Sequence, residues 1–270
     1  MLGYLILLGV FLFILGAVLG SFLNVLIYRT VQGEPWVTGR SRCDHCRKKI
    51  LWYDNIPLLS FLILRGQSRC CKKSIPFSYP VVEFMTGSLF VWWYWIGSVF
   101  FKLTVAPFSV LQPLFWLMVG VLLITIFFAD LIHLIVPDLA VGILFFITIV
   151  YRLYLTAANI MQVKDLWAAI LGMVITVIFF GSLWWLTKGR GMGLGDVKLV
   201  APIALLLGWP KVIVGIFLSF ILGGIVAVGL LVSGKRKMGQ VIPFGPFIII
   251  GTILSLAVGE AIFTWYLQWL

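Results

Sequence analysis

The chain has 270 residues, of which 62% are hydrophobic and 11% charged, with a mean hydropathy of +1.14 and a net charge of +11. Soluble domains carry about twice that share of charge, so a water-facing globular fold is excluded and the chain reads as an integral membrane protein. Its apolar runs are continuous rather than alternating, which excludes an outer-membrane barrel and leaves an all-α, polytopic helix bundle.

The first run, Leu2 to Tyr28, contains no charge. It lacks the basic start, the shorter apolar stretch and the small-residue cleavage site of a signal peptide, so it is expected to remain as a first transmembrane helix. A basic segment holding all the cysteines follows over 29–79. Seven more spans are predicted over 80–101, 108–129, 139–160, 166–187, 197–209, 212–233 and 247–269, which makes about eight helices. The run at 197–209 is too short for a hydrocarbon core about 30 Å thick, and it contains Pro202 and Gly208. The expected organisation is a first helix (1–28), a small insertion (29–79) and a seven-helix membrane core (80–270).

The basic residues give an orientation. Ten of the twenty lie between Arg29 and Lys73, and Lys188, Arg190, Lys198, Lys235, Arg236 and Lys237 fall on the same side of the predicted spans. Only Lys102, Arg152, Lys164 and Lys211 fall on the other. Sixteen against four places the cysteine loop in the cytoplasm by the positive-inside rule. The loop contains no recognisable nucleic-acid module, so its charge implies a lipid bilayer and no nucleic-acid partner.

A reducing cytoplasm favours metal ligation over disulfides. Cys43-Asp44-His45-Cys46 is a CxxC, whose tight turn lets two thiolates meet one tetrahedral Zn²⁺. The second half, Ser68-Arg69-Cys70-Cys71, carries a vicinal pair instead. Cys43, Cys46, Cys70 and Cys71 are the candidate ligands of a structural zinc. Adjacent cysteines strain to reach one ion, so one of them is expected to be idle, with His45 or water in its place. The rival reading is a set of free thiols in a basic loop.

Charge is scarce enough here that each carboxylate at membrane depth is a functional candidate. Asp138 follows Pro137 at the start of an apolar run, the position of a helix N-cap. Asp130 ends the 108–129 span, where the negative end of the helix dipole makes a carboxylate unfavourable. Gly189-Arg190-Gly191-Met192-Gly193-Leu194-Gly195-Asp196 leads into the short span. No strand precedes these glycines, so a dinucleotide loop is excluded. They permit close backbone approach and put Asp196 at a helix N-terminus. Two aspartates at one depth suggest a dyad that shares a proton, with Asp196 expected as the base and Asp130 as the acid.

At these residues the chain resembles the bacterial type IV prepilin peptidases, polytopic aspartic proteases of the GxGD class. Five blocks carry the resemblance in order: Gly20-Ser21-Phe22-Leu23-Asn24-Val25, Trp52-Tyr53-Asp54-Asn55-Ile56-Pro57, Tyr79-Pro80-Val81-Val82-Glu83, Gly193-Leu194-Gly195-Asp196-Val197-Lys198-Leu199 and Ile242-Pro243-Phe244-Gly245-Pro246. The resemblance implies an inner-membrane enzyme that removes the basic leader of prepilins and pseudopilins at the cytoplasmic face. It further implies methylation of the new N-terminal residue with S-adenosylmethionine. Asp130 and Asp196 fall on the family's catalytic aspartates, and Glu83 matches a glutamate linked to methyl transfer. Gly193, Gly195, Lys198, Pro243 and Gly245 are expected to shape the site. Two departures stand out: Ser68 takes the place of a family cysteine, leaving Cys70 extra, and Ile132 stands where many members carry an acid. A peptidase that has lost methylation is therefore an alternative. A transporter would also explain acids in a bundle with a short helix, but here they crowd at one face. A non-enzymatic scaffold is opposed by the presence of both aspartates. The sequence sets no oligomeric state.

Overall fold

The computed structural model describes residues 2–35, 39–95, 97, 107–234 and 241–269. Among these residues it is helical throughout, with nine α-helices and one 3-10 turn: α1 (Leu2–Gln32), the turn Trp52–Asn55, α2 (Leu59–Ile63), α3 (Ser78–Trp95), α4 (Phe108–His133), α5 (Asp138–Ala157), α6 (Val163–Leu186), α7 (Leu194–Leu207), α8 (Lys211–Val232) and α9 (Gly245–Leu267). Six of them, α1, α4, α5, α6, α8 and α9, are long and apolar enough to cross a membrane. With α3 and the short α7, each of the eight predicted spans coincides with a helix. The last residues of the 80–101 span, and Lys102, Lys235, Arg236 and Lys237 of the orientation argument, lie outside the described residues.

The chain forms two compact units, Met1–Phe128 and Ala129–Leu270. In the first, α1 packs along α3 at backbone contact. A Cβ on Gly16 would stand 2.6 Å from Thr86 O, and one on Gly20 would stand 2.7 Å from Glu83 Cα. Small residues that let helices approach this closely are a usual source of packing energy in lipid, where burial of apolar surface adds little. Asn24 Nδ2 donates to Tyr79 O across the same seam (3.1 Å).

In the second unit α8 lies along α9, and α7 is enclosed by α5, α6 and α9. Nine of the fourteen α7 residues are buried. At about 1.5 Å per residue, α7 is about 21 Å long and falls short of the hydrocarbon core. It begins at Leu194, three residues before the predicted span, because Asp196 reaches back to the N–H of Gly193 and caps the first turn (3.2 Å). It ends at Gly208, whose φ of +66° suits glycine. There Arg152 of α5 donates to the carbonyls of Leu205 and Leu206. These are orphan acceptors of the helix end, met by a cation at the negative end of the dipole.

Candidate active site and cysteine centre

Asp130 lies in the last turn of α4 and is 5% exposed. Its Oδ2 accepts the N–H of Gly245, the first residue of α9, at 2.9 Å. A Cβ on Gly245 would fall 2.6 Å from the same oxygen, so only glycine allows this approach. The neighbouring Phe244 is wedged among Phe220, Phe180 and Phe247, at ring separations of 5.1, 6.3 and 6.4 Å, which fixes where α9 starts. Pro243 stands half-buried just before it, and Pro246 opens the helix, where its missing N–H costs nothing.

Asp196 is the third residue of α7 and is 7% exposed. Its Oδ2 accepts the Gly193 N–H, and a Cβ on Gly195 would press on Val136 at 2.9 Å. Both carboxylates are buried in the second unit, each held by the N–H of a glycine at a helix start. One feature differs from the sequence expectation. Asp130 does sit at the C-terminal end of its own helix, yet the N-terminus of α9 is turned onto its carboxylate. Both acids thus meet a positive helix end, and the dipole no longer divides acid from base.

Asp138 also differs. It is the first residue of α5 after the cap position at Pro137 and makes no capping bond. Its carboxylate instead takes both contacts of Lys198 Nζ, at 2.8 and 3.0 Å, linking the starts of α5 and α7. The sequence named Lys198 but had no signal for this partner, 60 positions away.

In the first unit Glu83 is 8% exposed, and its Oε2 accepts the N–H of Leu58 at 2.8 Å, fastening the loop to α3. The polar side chains described around it are engaged: Asn24 with Tyr79 O, the Tyr79 hydroxyl with Asp44 (2.7 Å) and Thr86 with Val82 O (2.7 Å). No step through a methyl donor follows from these contacts.

The four cysteines gather at one point, with all four sulfurs within 4.8 Å of one another. Cys43 Sγ stands 3.7 Å from Cys71 Sγ, and Cys46 Sγ stands 3.0 Å from Cys70 Sγ. Tetrahedral Zn–S bonds of about 2.3 Å put ligand sulfurs about 3.8 Å apart, so the donor set fits a zinc ion after shifts of about 1 Å or less. The expected idle thiol is not found, because both adjacent cysteines reach the cluster. His45 is turned away, and its Nε2 donates to Ser74 O (3.3 Å). Burial raises the Cys43 thiol, but hydrogen bonds from Ser68 and from backbone N–H groups outweigh it and bring the group down to about 6. Contact with Cys70 pushes Cys46 up to about 11. The cluster is buttressed by Arg69, which donates to both Asp54 oxygens (2.9–3.0 Å) and lies over the Tyr53 ring.

Residues 14–96 match the bacterial peptidase A24 N-terminal domain, and residues 116–228 match the type IV leader peptidase family. A prepilin leader peptidase/N-methyltransferase of Aeromonas hydrophila is 32% identical over 94% of this chain and 92% of its own. Proteins of the same name from Bacillus subtilis (strain 168) and Pseudomonas aeruginosa are each 30% identical, over 95% and 94% of this chain and 97% and 92% of theirs. No solved structure matches. Near-complete coverage in both directions, together with the two family matches, decides the assignment: the chain belongs to the type IV leader peptidase family of membrane aspartic peptidases.

Proposed function

We propose that this chain removes the basic leader of prepilins and pseudopilins at the cytoplasmic face of the bacterial inner membrane, and then methylates the new N-terminal amine using S-adenosylmethionine. The observation that carries the peptidase reading is the pair of buried carboxylates, Asp130 and Asp196, each tied through Oδ2 to the backbone of a helix start. Among the described residues no hydrogen bond engages either Oδ1, which leaves an oxygen of each acid to face water and substrate.

In this reading the two acids act as a pair and share one proton, which belongs to the pair rather than to either member. The ionised carboxylate takes a proton from a water molecule as its oxygen bonds to the scissile carbonyl carbon. The protonated carboxylic acid gives its proton to the carbonyl oxygen, and a neutral tetrahedral diol forms. Collapse breaks the C–N bond. The first carboxyl passes its proton to the leaving amine while the second recovers one from the diol, so one water is consumed and the pair is restored. Gly193 and Gly245 serve this reading by letting backbone lie against the acids and Gly195 by letting the start of α7 lie against Val136, with Pro243 and Lys198 setting the helix starts around them.

Methyl transfer is assigned to the 29–79 loop with Glu83, and peptide cleavage to the 80–270 core. S-adenosylmethionine supplies an electrophilic methyl group when bound. Glu83 contributes by holding Leu58, and so the loop, against α3. The cysteine centre is read as a structural zinc site that keeps this small loop folded.

The test is cleavage of a prepilin by the protein reconstituted in lipid. Asp130→Asn and Asp196→Asn should each lower the rate by about 100-fold or more, the scale of general acid–base catalysis. Undiminished cleavage by either variant would remove the dyad.

A further inference from the structure

The cysteine loop contains the same backbone turn twice. In the first, Cys43 N–H donates to Lys48 O and Arg47 N–H donates to Cys43 O, both at 2.9 Å. Arg47 has a φ of +58°, and Arg42 bridges Lys49 in antiparallel fashion. In the second, Ser68 N–H donates to Lys73 O and Lys72 N–H donates to Ser68 O, both at 2.8 Å. Lys72 has a φ of +57°, and Gln67 bridges Ser74. Each member of the second turn lies 25 positions after its counterpart in the first. Cys46 thus corresponds to Cys71, Cys43 to Ser68 and His45 to Cys70.

By this register the second turn has a hydroxyl where the first has its leading thiol, and a thiol where the first has His45. The side chains follow the exchange. His45 bonds to Ser74 O, while the exposed Cys70 places its Sγ 3.0 Å from Cys46 Sγ. Ser68 keeps its place in the turn, with Oγ 3.3 Å from Cys43 Sγ and 3.1 Å from Cys70 Sγ. A neutral hydroxyl is a poor zinc ligand beside thiolates, but it is a good hydrogen-bond donor to them.

We infer that Cys70 is a displaced ligand: it supplies from the third position of the turn the thiolate that Ser68 cannot supply from the first, and Ser68 remains as a hydroxyl donor to the Cys43 and Cys70 sulfurs. The centre is then a four-thiolate site built from one regular pair, Cys43 and Cys46, and one vicinal pair, Cys70 and Cys71. The inference rests on the zinc reading of the loop and is independent of peptide cleavage.

The test uses the full chain in detergent, loaded with zinc for X-ray absorption and with cobalt(II) for its thiolate charge-transfer band. The unaltered protein should bind one metal with four sulfur neighbours. Cys70→Ser should lose about a quarter of the cobalt band, one thiolate in four. Ser68→Ala should keep the full band while binding metal more weakly. The double variant Ser68→Cys/Cys70→Ser should regain the full band by moving the thiol back to the first position. Three sulfurs in the unaltered protein, a full band in Cys70→Ser, or an equal loss in Ser68→Ala would overturn the displaced ligand while leaving the zinc reading intact. Absence of stoichiometric metal would overturn both. The zinc measurement needs no variant, so misfolding of Cys70→Ser does not shelter the inference.

Discussion

Gly245 is the residue on which the geometry of Asp130 turns. Its N–H holds the carboxylate, and it has no room for a methyl group, since a Cβ would stand 2.6 Å from Oδ2. Gly245→Ala should therefore push the Asp130 side chain off its bond while leaving both helices in place. A displacement of about 1 Å at a reacting group costs about 100-fold in rate. Prepilin cleavage should fall by that order, with a thermal midpoint close to that of the unaltered protein. The sequence made Asp130 and Asp196 conspicuous because acids are rare in this chain, and it marked Gly193 and Gly195 as places of close approach, while Gly245 was named only through the family resemblance. It held no sign that Gly245 serves Asp130, because 115 positions separate them and only the packed helices bring them together. The N-cap reading of Asp138 gave way for the same reason, to a lysine on another helix.

Among the elements, α7 depends most on its neighbours. Arg152 closes its C-terminal end by donating to two carbonyls, and Asp196 closes its N-terminal end. Hydrogen bonds involving a charged group contribute about 1.5–3 kcal/mol each. Arg152→Met should lower stability by about 2–4 kcal/mol and Arg152→Lys by less, as read from thermal unfolding in detergent. The eight helices were legible because apolar runs of this length have no other reading in a hydrophobic chain. Their ends were not. α1 runs on to Gln32 and α7 begins at Leu194, because charged residues just outside an apolar run can still be helical once capped or paired. Arg152 entered the orientation count as one of four basic residues on the less basic side. Its bond to the end of α7 is a tertiary contact that no local pattern encodes.

At the scale of the whole molecule, the proposed chemistry divides between the two units. The cysteine centre and Glu83 belong to Met1–Phe128, and both aspartates belong to Ala129–Leu270. Removal of a structural zinc withdraws free energy of about 10–16 kcal/mol in small metal-folded domains, far more than a loop of this size could replace. A strong chelator should therefore abolish methyl transfer at concentrations that leave most leader cleavage intact. Glu83→Ala, which removes the acceptor for Leu58 N–H, should likewise lower methylation and spare cleavage. Both activities are read from one reaction by mass analysis of the mature N-terminus. Loss of cleavage in step with methylation would argue against the division. The loop's basic residues were read as a topology signal, and several of them also have local work: Arg69 clamps Asp54, and Arg29 holds the carbonyls of Pro35, Gly39 and Arg40.

The shortness of α7 has a consequence for how the protein is made. Its buried residues, among them Leu199, Val200, Ile203 and Leu205, meet protein rather than lipid, and the segment carries Asp196, Lys198 and Pro202. Such a segment has neither the length nor the greasiness to be threaded into a bilayer alone. It must be drawn in by helices already there, so the polar end that bears Asp196 is among the last parts of the chain to leave water during synthesis. In Leu199→Cys, whose side chain is fully enclosed in the finished fold, a water-borne maleimide should thus label position 199, mapped apart from the four native cysteines, in chains truncated after Leu207 and not in the complete one.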